Sequence, residues 1–288
     1  MININMIFGG SDNKINSLKE AKAVIVPVPY GETVTYRIGT ENGPQAILKA
    51  SDNMELFDEE LNREIYKIGI NTTPFLKVNG LDAEEMVYAV EKKTKDILET
   101  NKMPVVIGGE HSVSVGAVRA AKQRYQDLSV LYFDAHHDIR DSYNGSKFNH
   151  ACIARRILEI APLVEVGVRS LSMAEFDFLA GKDIKIVSMR YMMKNPGWFN
   201  SIKSYLSDHV YISIDLDVFD PSIMPSVGTP EPGGMLWYEF LEAVRGIIQD
   251  KKVIGFDVVE LCPIKDMAGP DFMAAKLIYK LLGYIFSL

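Results

Sequence analysis

The chain has 288 residues, 47% of them hydrophobic, which is enough to bury the core of one large α/β domain. Its formal net charge of −7 offers no basic footprint to a nucleic acid and is compatible with a cationic small molecule. Two cysteines, Cys152 and Cys262, are too few for a disulfide scaffold and match no zinc spacing, so they read as reduced thiols near the core of a cytoplasmic protein.

In chain order, residues 1–10 lack a basic leader, and no apolar run reaches membrane-spanning length, so no membrane partner is expected. An apolar run over 23–27 reads as a strand, and Gly43-Pro44 opens a helix through Lys49, with proline at an early helical position. Asp82 is placed to cap a helix whose apolar positions Met86, Val87, Val90, Ile97 and Leu98 keep helical spacing. Strands follow over 104–107 and 129–133, with a helix near 113–125 between them. Four more strands are expected over 163–168, 184–187, 210–214 and 253–259, then a helix over 271–286 that is apolar on most sides. This alternation predicts a single domain spanning 1–288, with a mostly parallel central sheet and helices on both faces. The irregular segments, about 30–42, 139–150 and 218–235, are where such folds carry their sites.

Two of the expected strands end in metal-ligand side chains on alternate positions. Asp134, His136 and Asp138 follow the first, and Asp215 and Asp217 follow the second. In an extended backbone residues i, i+2 and i+4 share a face, so each motif would line one wall of a cleft. A third segment, Gly108-Gly109-Glu110-His111-Ser112, follows the 104–107 strand and adds His111. Ligands of parallel α/β sheets bind beyond the carboxyl ends of strands, where all three lie. Four carboxylates and two imidazoles would repel one another there unless divalent cations sit among them. A carboxylate-rich set without thiolates suits a hard cation, with Mn²⁺ favoured over zinc. His137 alternates away from this cluster and is expected to pack or hydrogen-bond.

These motifs, with Ser213-Ile214-Asp215-Leu216-Asp217-Val218-Phe219-Asp220-Pro221, Gly228-Thr229-Pro230-Glu231-Pro232-Gly233-Gly234 and Phe256-Asp257-Val258-Val259-Glu260, make the chain resemble the arginase/agmatinase (ureohydrolase) family over nearly its whole length. The family commonly has Asp where this chain has Glu110, and a small residue where it has His137. The resemblance implies an arginase-like three-layer fold and two Mn²⁺ ions per subunit. His111, Asp134, Asp138 and Asp215 would hold one ion; Asp134, His136, Asp215 and Asp217 would hold the other. It also implies hydrolysis of a guanidino group by a hydroxide shared between the ions. In that picture Glu260 holds the guanidinium, Asp138 helps move a proton to the leaving amine, and His150 carries protons to solvent. Thr229 would contact substrate. A homo-oligomer, trimer or hexamer, is implied by the resemblance alone.

The substrate expected is agmatine, cleaved to putrescine and urea. No Asn follows Asp138 to receive an amino-acid carboxylate, and Thr33-Val34-Thr35-Tyr36-Arg37 is similar to agmatinase sequences. Aminopropylagmatine, guanidinobutyrate and arginine stay open, because Arg140 would neutralise a guanidino acid. A deacetylase-like metal amidohydrolase is a further alternative, though such enzymes use one zinc and a different ligand set. Arg37, Arg140 and Asp141 either contact substrate or fasten loops.

Overall fold

The structure is a computed structural model that describes residues 6–287, so residues 1–5 of the start lie outside the described residues. Eight strands are parallel neighbours in one sheet: β1 (Ala23–Val28), β4 (Ile70–Thr72), β5 (Met103–Gly108), β6 (Ser129–Phe133), β7 (Leu163–Val166), β8 (Lys185–Val187), β9 (His209–Asp215) and β10 (Lys252–Val259), in the order β4-β1-β5-β10-β9-β6-β7-β8. The remaining two, β2 (Phe57–Asp58) and β3 (Arg63–Glu64), form a small antiparallel pair outside the sheet.

Alternation along the strands divides the core into two layers. Ala23 and Ile25 of β1 join one cluster with the helices α1 (Gly43–Ser51), α7 (Trp237–Ile248) and α8 (Ala268–Ser287). Val24, Val26 and Val28 face the other cluster with α2 (Ala83–Glu99), α3 (Ser114–Arg124) and α4 (Ile153–Leu158). Two shorter helices, α5 (Met173–Leu179) and α6 (Met189–Lys194), complete the chain. Strands covered on both faces are why these segments read as continuous apolar runs. The result is a single-domain, three-layer α/β/α fold. Helix α2 starts as its sequence predicts. Asp82 accepts from Glu85 N at 2.8 Å while Glu85 caps the Asp82 N–H in return.

The segments β2, β3 and β4 have no counterpart in the sequence reading. Each is two or three residues long, too short for periodicity to distinguish it from a loop. The long C-terminal helix buries nearly every side chain from Leu277 to Tyr284, including Lys280. No described helix is long and apolar enough to cross a membrane. Cys152 and Cys262 are free and buried.

Candidate active site

Four neighbouring central strands, β5, β10, β9 and β6, end at one edge of the sheet, and each delivers an acidic or imidazole group there. His111 opens a tight turn just past β5. Gly109 lets it do so: a Cβ at this position would stand 2.0 Å from the Tyr30 carbonyl, so only glycine allows the approach. Asp134 follows β6, Asp215 closes β9, and Glu260 follows β10.

The extended alternation expected over 134–138 and 215–217 does not hold. Strand β6 stops at Phe133, and Asp134 Oδ1 accepts the N–H of His136 at 2.6 Å, which curls the chain. Asp215 makes the same i to i+2 bond with Asp217 N at 2.8 Å, putting Asp217 in a 3-10 turn. Asp138 reaches the cluster through a left-handed backbone with φ 48°, and Glu260 has φ 67°. Non-glycine residues seldom adopt that region, and such strain gathers at functional sites.

The side chains converge all the same. His111, Asp134 and Asp215 offer ligand atoms within 4.8 Å of one another, as do Asp134, His136 and Asp217, with Asp134 common to both groups. His111 Nδ1 lies 3.1 Å from Asp134 Oδ2 and 3.2 Å from Asp215 Oδ2. Asp138 belongs to neither group, but its Oδ2 is 3.7 Å from His111 Nδ1 and accepts the Tyr132 hydroxyl at 3.2 Å. His136 Nδ1 lies 2.9 Å from Asp217 Oδ2. Burial opposes charge on His111, yet Asp134 and Asp215 outweigh it and push its pKa well above the usual histidine value. Burial and the neighbouring Asp134 push Asp138 up, and burial with Asp217 and Asp134 does the same to Asp215.

Behind the cluster, polar groups fix its orientation. Ser213 Oγ donates to Asp257 Oδ1 at 2.8 Å and lies 2.9 Å from His111 Nε2. Its one proton is committed to the carboxylate, so it accepts from Nε2–H, and Nδ1 is left facing the acids. The Tyr132 ring stacks on His111 with centroids 4.7 Å apart. Arg169 donates to the carbonyls of Asp217 (2.7 Å), Glu231 (2.8 Å) and Pro232 (3.1 Å), tying the end of β9 to the 229–234 loop. Glu231 Oε1 in turn lies 3.7 Å from His136 Nε2. Sequence reasoning did not single out Ser213, Asp257 or Arg169. A serine and an aspartate inside two apolar strand runs were the available signal for the first two.

A cavity of about 260 Å³ opens over the acids, and its lining includes Asp138, Arg140, Tyr143, His150, Glu175, Thr229 and Glu260. Glu260 Oε1 accepts the backbone N–H of His111 at 2.7 Å. Burial and the charge of Glu110 push its pKa up to about 8. Burial pushes His150 down to about 4, with the positive charge of His111 and His136 adding to the effect. Arg140 lies over the Tyr143 ring at 4.6 Å and 3.9 Å from Glu175. Asp141 turns away to Arg156 (2.7 Å), and Arg37 donates to the Pro225 and Val227 carbonyls, so both fasten loops.

The donor set fits a pair of divalent cations. Asp134 Oδ2 is buried and has no hydrogen-bond partner among the described residues. Without metal, the raised pKa of His111 lets its imidazolium offset these acids. As a neutral ligand its Nδ1 lone pair would face the carboxylate oxygens, an arrangement that calls for a cation between them. His111, Asp134 and Asp215 would hold one ion and Asp134, His136 and Asp217 the other.

A family model described as "Arginase family" matches residues 21–283. An N(1)-aminopropylagmatine ureohydrolase of Synechocystis is 42% identical over 278 residues, covering 94% of this chain and 91% of the relative. An agmatinase of Pyrococcus horikoshii is 36% identical, covering 92% and 93%. The agmatine ureohydrolase structure of Thermoplasma volcanium superposes with a TM-score of 0.84 at 31% identity, covering 96% of this chain and 93% of that one. The chain therefore belongs to the arginase family and is a hydrolase of guanidino compounds.

Proposed function

We propose that the protein is a Mn²⁺-dependent ureohydrolase of guanidino amines, cleaving agmatine or its N(1)-aminopropyl derivative to urea and the corresponding amine. The observation that carries this is the position of Glu260, a buried carboxylate on the cavity wall beside the acidic cluster. A planar guanidinium pairs with a carboxylate through two parallel N–H donors, and burial makes an uncompensated Glu260 costly until a cation arrives. The name of the 42% identical relative favours the aminopropyl compound, and that of the 36% identical relative favours agmatine. Two Mn²⁺ ions, when bound, would supply the Lewis acidity that brings a water molecule's pKa toward neutrality.

The chain's own groups do the rest. Glu260 orients the guanidinium, and the cavity holds its carbon against the acids, which matters because a delocalised cation is a poor electrophile. Asp138, hydrogen-bonded by Tyr132, is placed to pass a proton to the leaving amine. His150, on the cavity wall, exchanges protons with solvent. The test is urea release from agmatine, N(1)-aminopropylagmatine, guanidinobutyrate and arginine, with and without added Mn²⁺. Release from at least one of the two amines, dependent on Mn²⁺ and at least about 10²-fold above arginine in kcat/KM, is expected from the cost of burying an unpaired carboxylate. Equal use of arginine would overturn the choice of amine.

A further inference from the structure

Four hydrogen bonds, all made by Thr33, connect the Glu110 carboxylate to the segment that carries His150. Glu110 is fully buried. Thr33 donates its backbone N–H to Glu110 Oε2 and its hydroxyl to Oε1, both at 2.6 Å. The same hydroxyl oxygen accepts the backbone N–H of His150 at 3.0 Å, and the Thr33 carbonyl accepts from Asn149 Nδ2 at 3.2 Å. Ser112 also donates to Glu110 and holds the carboxylate in place.

The direction of this chain is set by proton count. A threonine hydroxyl has one proton, and an ionised carboxylate only accepts. Thr33 therefore gives its proton to Glu110, and only its lone pairs are left for the His150 N–H. Hydrogen bonds to a carboxylate are shorter and stronger than neutral ones, so the Thr33 rotamer is locked by Glu110 rather than by His150. The consequence reaches the imidazole: with its main chain pinned, the His150 ring faces the cavity, and Nε2 lies 3.4 Å from Thr35 Oγ1.

We propose that Thr33, locked by Glu110, is a positioning residue that holds His150 in the orientation its proton transfer needs. This rests on the reading of His150 as proton carrier given above. Bound metal should not change, because the Thr33 hydrogen bonds go to Glu110, Asn149 and His150, none of them a candidate ligand. The role belongs to turnover: substrate meets Glu260 on a different strand end, so kcat should change and KM should not.

The experiment uses the full chain with Mn²⁺ and the better of the two guanidino amines. Thr33→Val keeps the shape and the backbone N–H but removes the hydroxyl. It should lower kcat about tenfold with KM and bound Mn²⁺ unchanged, a fraction of the full effect of a general acid–base group. Thr33→Ser, which restores the hydroxyl, should turn over like the parent. Thr33→Val combined with His150→Ala should be no slower than His150→Ala alone. In the metal-free protein, amide hydrogen exchange at His150 should quicken several-fold in Thr33→Val and in Glu110→Asp, whose shorter side chain draws back from Thr33, and should not in Thr33→Ser. Multiplying losses in the double variant, a Thr33→Ser enzyme as slow as Thr33→Val, or unchanged exchange would each overturn the proposal. If His150→Ala is slow while Thr33→Val is not, only the positioning role falls; full turnover by His150→Ala removes the proton-carrier reading as well.

Discussion

His137 turns its Nδ1 away from the acidic cluster and onto Glu165, and the two form a pair sealed from solvent, with 6% and 0% of their surfaces exposed. The segment that bears His136 and Asp138 is thus pinned from behind to strand β7. Removing one partner of a buried pair leaves the other uncompensated, which costs about 3–5 kcal/mol. Glu165→Ala should lose stability on that scale in denaturant unfolding of the metal-free protein. A loss below about 0.5 kcal/mol, typical of surface changes, would show that the pair holds nothing.

Asp134 is common to both groups of candidate ligands, and Asp215 stands beside His111. Asp134→Ala and Asp215→Ala should each lower bound Mn²⁺, measured by metal analysis after dialysis, and abolish urea release. Either variant keeping two ions and full turnover would overturn the ligand assignment.

Arg140, on the cavity wall, lies over the Tyr143 ring and 3.9 Å from Glu175. Held there, it screens an acid rather than receiving a substrate carboxylate. Arg140→Ala should leave arginine and guanidinobutyrate as poor as before. A selective loss of guanidinobutyrate turnover in the variant would show that Arg140 does bind a carboxylate.

Far from the site, Lys280 of α8 lies 3.0 Å from both Asp58 Oδ2 and Glu60 Oε2, and Tyr284 donates to Glu60 at 2.6 Å. Partial burial opposes ionisation of Glu60, but the hydrogen bonds from Tyr284 and Lys280, with the charges of Lys280 and Arg245, hold its pKa below the usual value of 4.5. A depressed carboxyl pKa stabilises the fold above the unfolded value, and that contribution fades as pH falls through the folded one. Melting temperatures of the parent and Glu60→Gln should therefore differ at pH 7 and converge below about pH 4. A gap that stays constant from pH 7 to pH 3 would assign the loss to packing instead.

Much of the architecture was legible in the chain because strands covered on both faces are mostly apolar, as the runs at 104–107, 129–133 and 253–259 are apart from Ser129 and Asp257. Regular spacing located α2, and a capping aspartate marked its start. The ligand residues were legible for a related reason: acids and histidines gathered directly after buried strands are conspicuous. Their route to one another was not. Sequence periodicity assumes extended backbone, whereas Asp134 and Asp215 each bind the amide two residues on, and Asp138 and Glu260 take left-handed φ values.

What the sequence by itself determined is the class of the sheet, the order along the chain of its strands other than β4, and the residue types placed at their ends, since these follow from local pattern and composition. Only the tertiary structure decided which ends meet. Strand order brings β5, β10, β9 and β6 side by side, so that Glu260 touches His111 across 149 residues and Asp257 orients that same imidazole through Ser213. Thr33, Arg169 and Glu165 act through contacts with segments remote in sequence, and no local pattern encodes such a contact. Their roles come from hydrogen bonds that exist only once the sheet has assembled and closed its core around them.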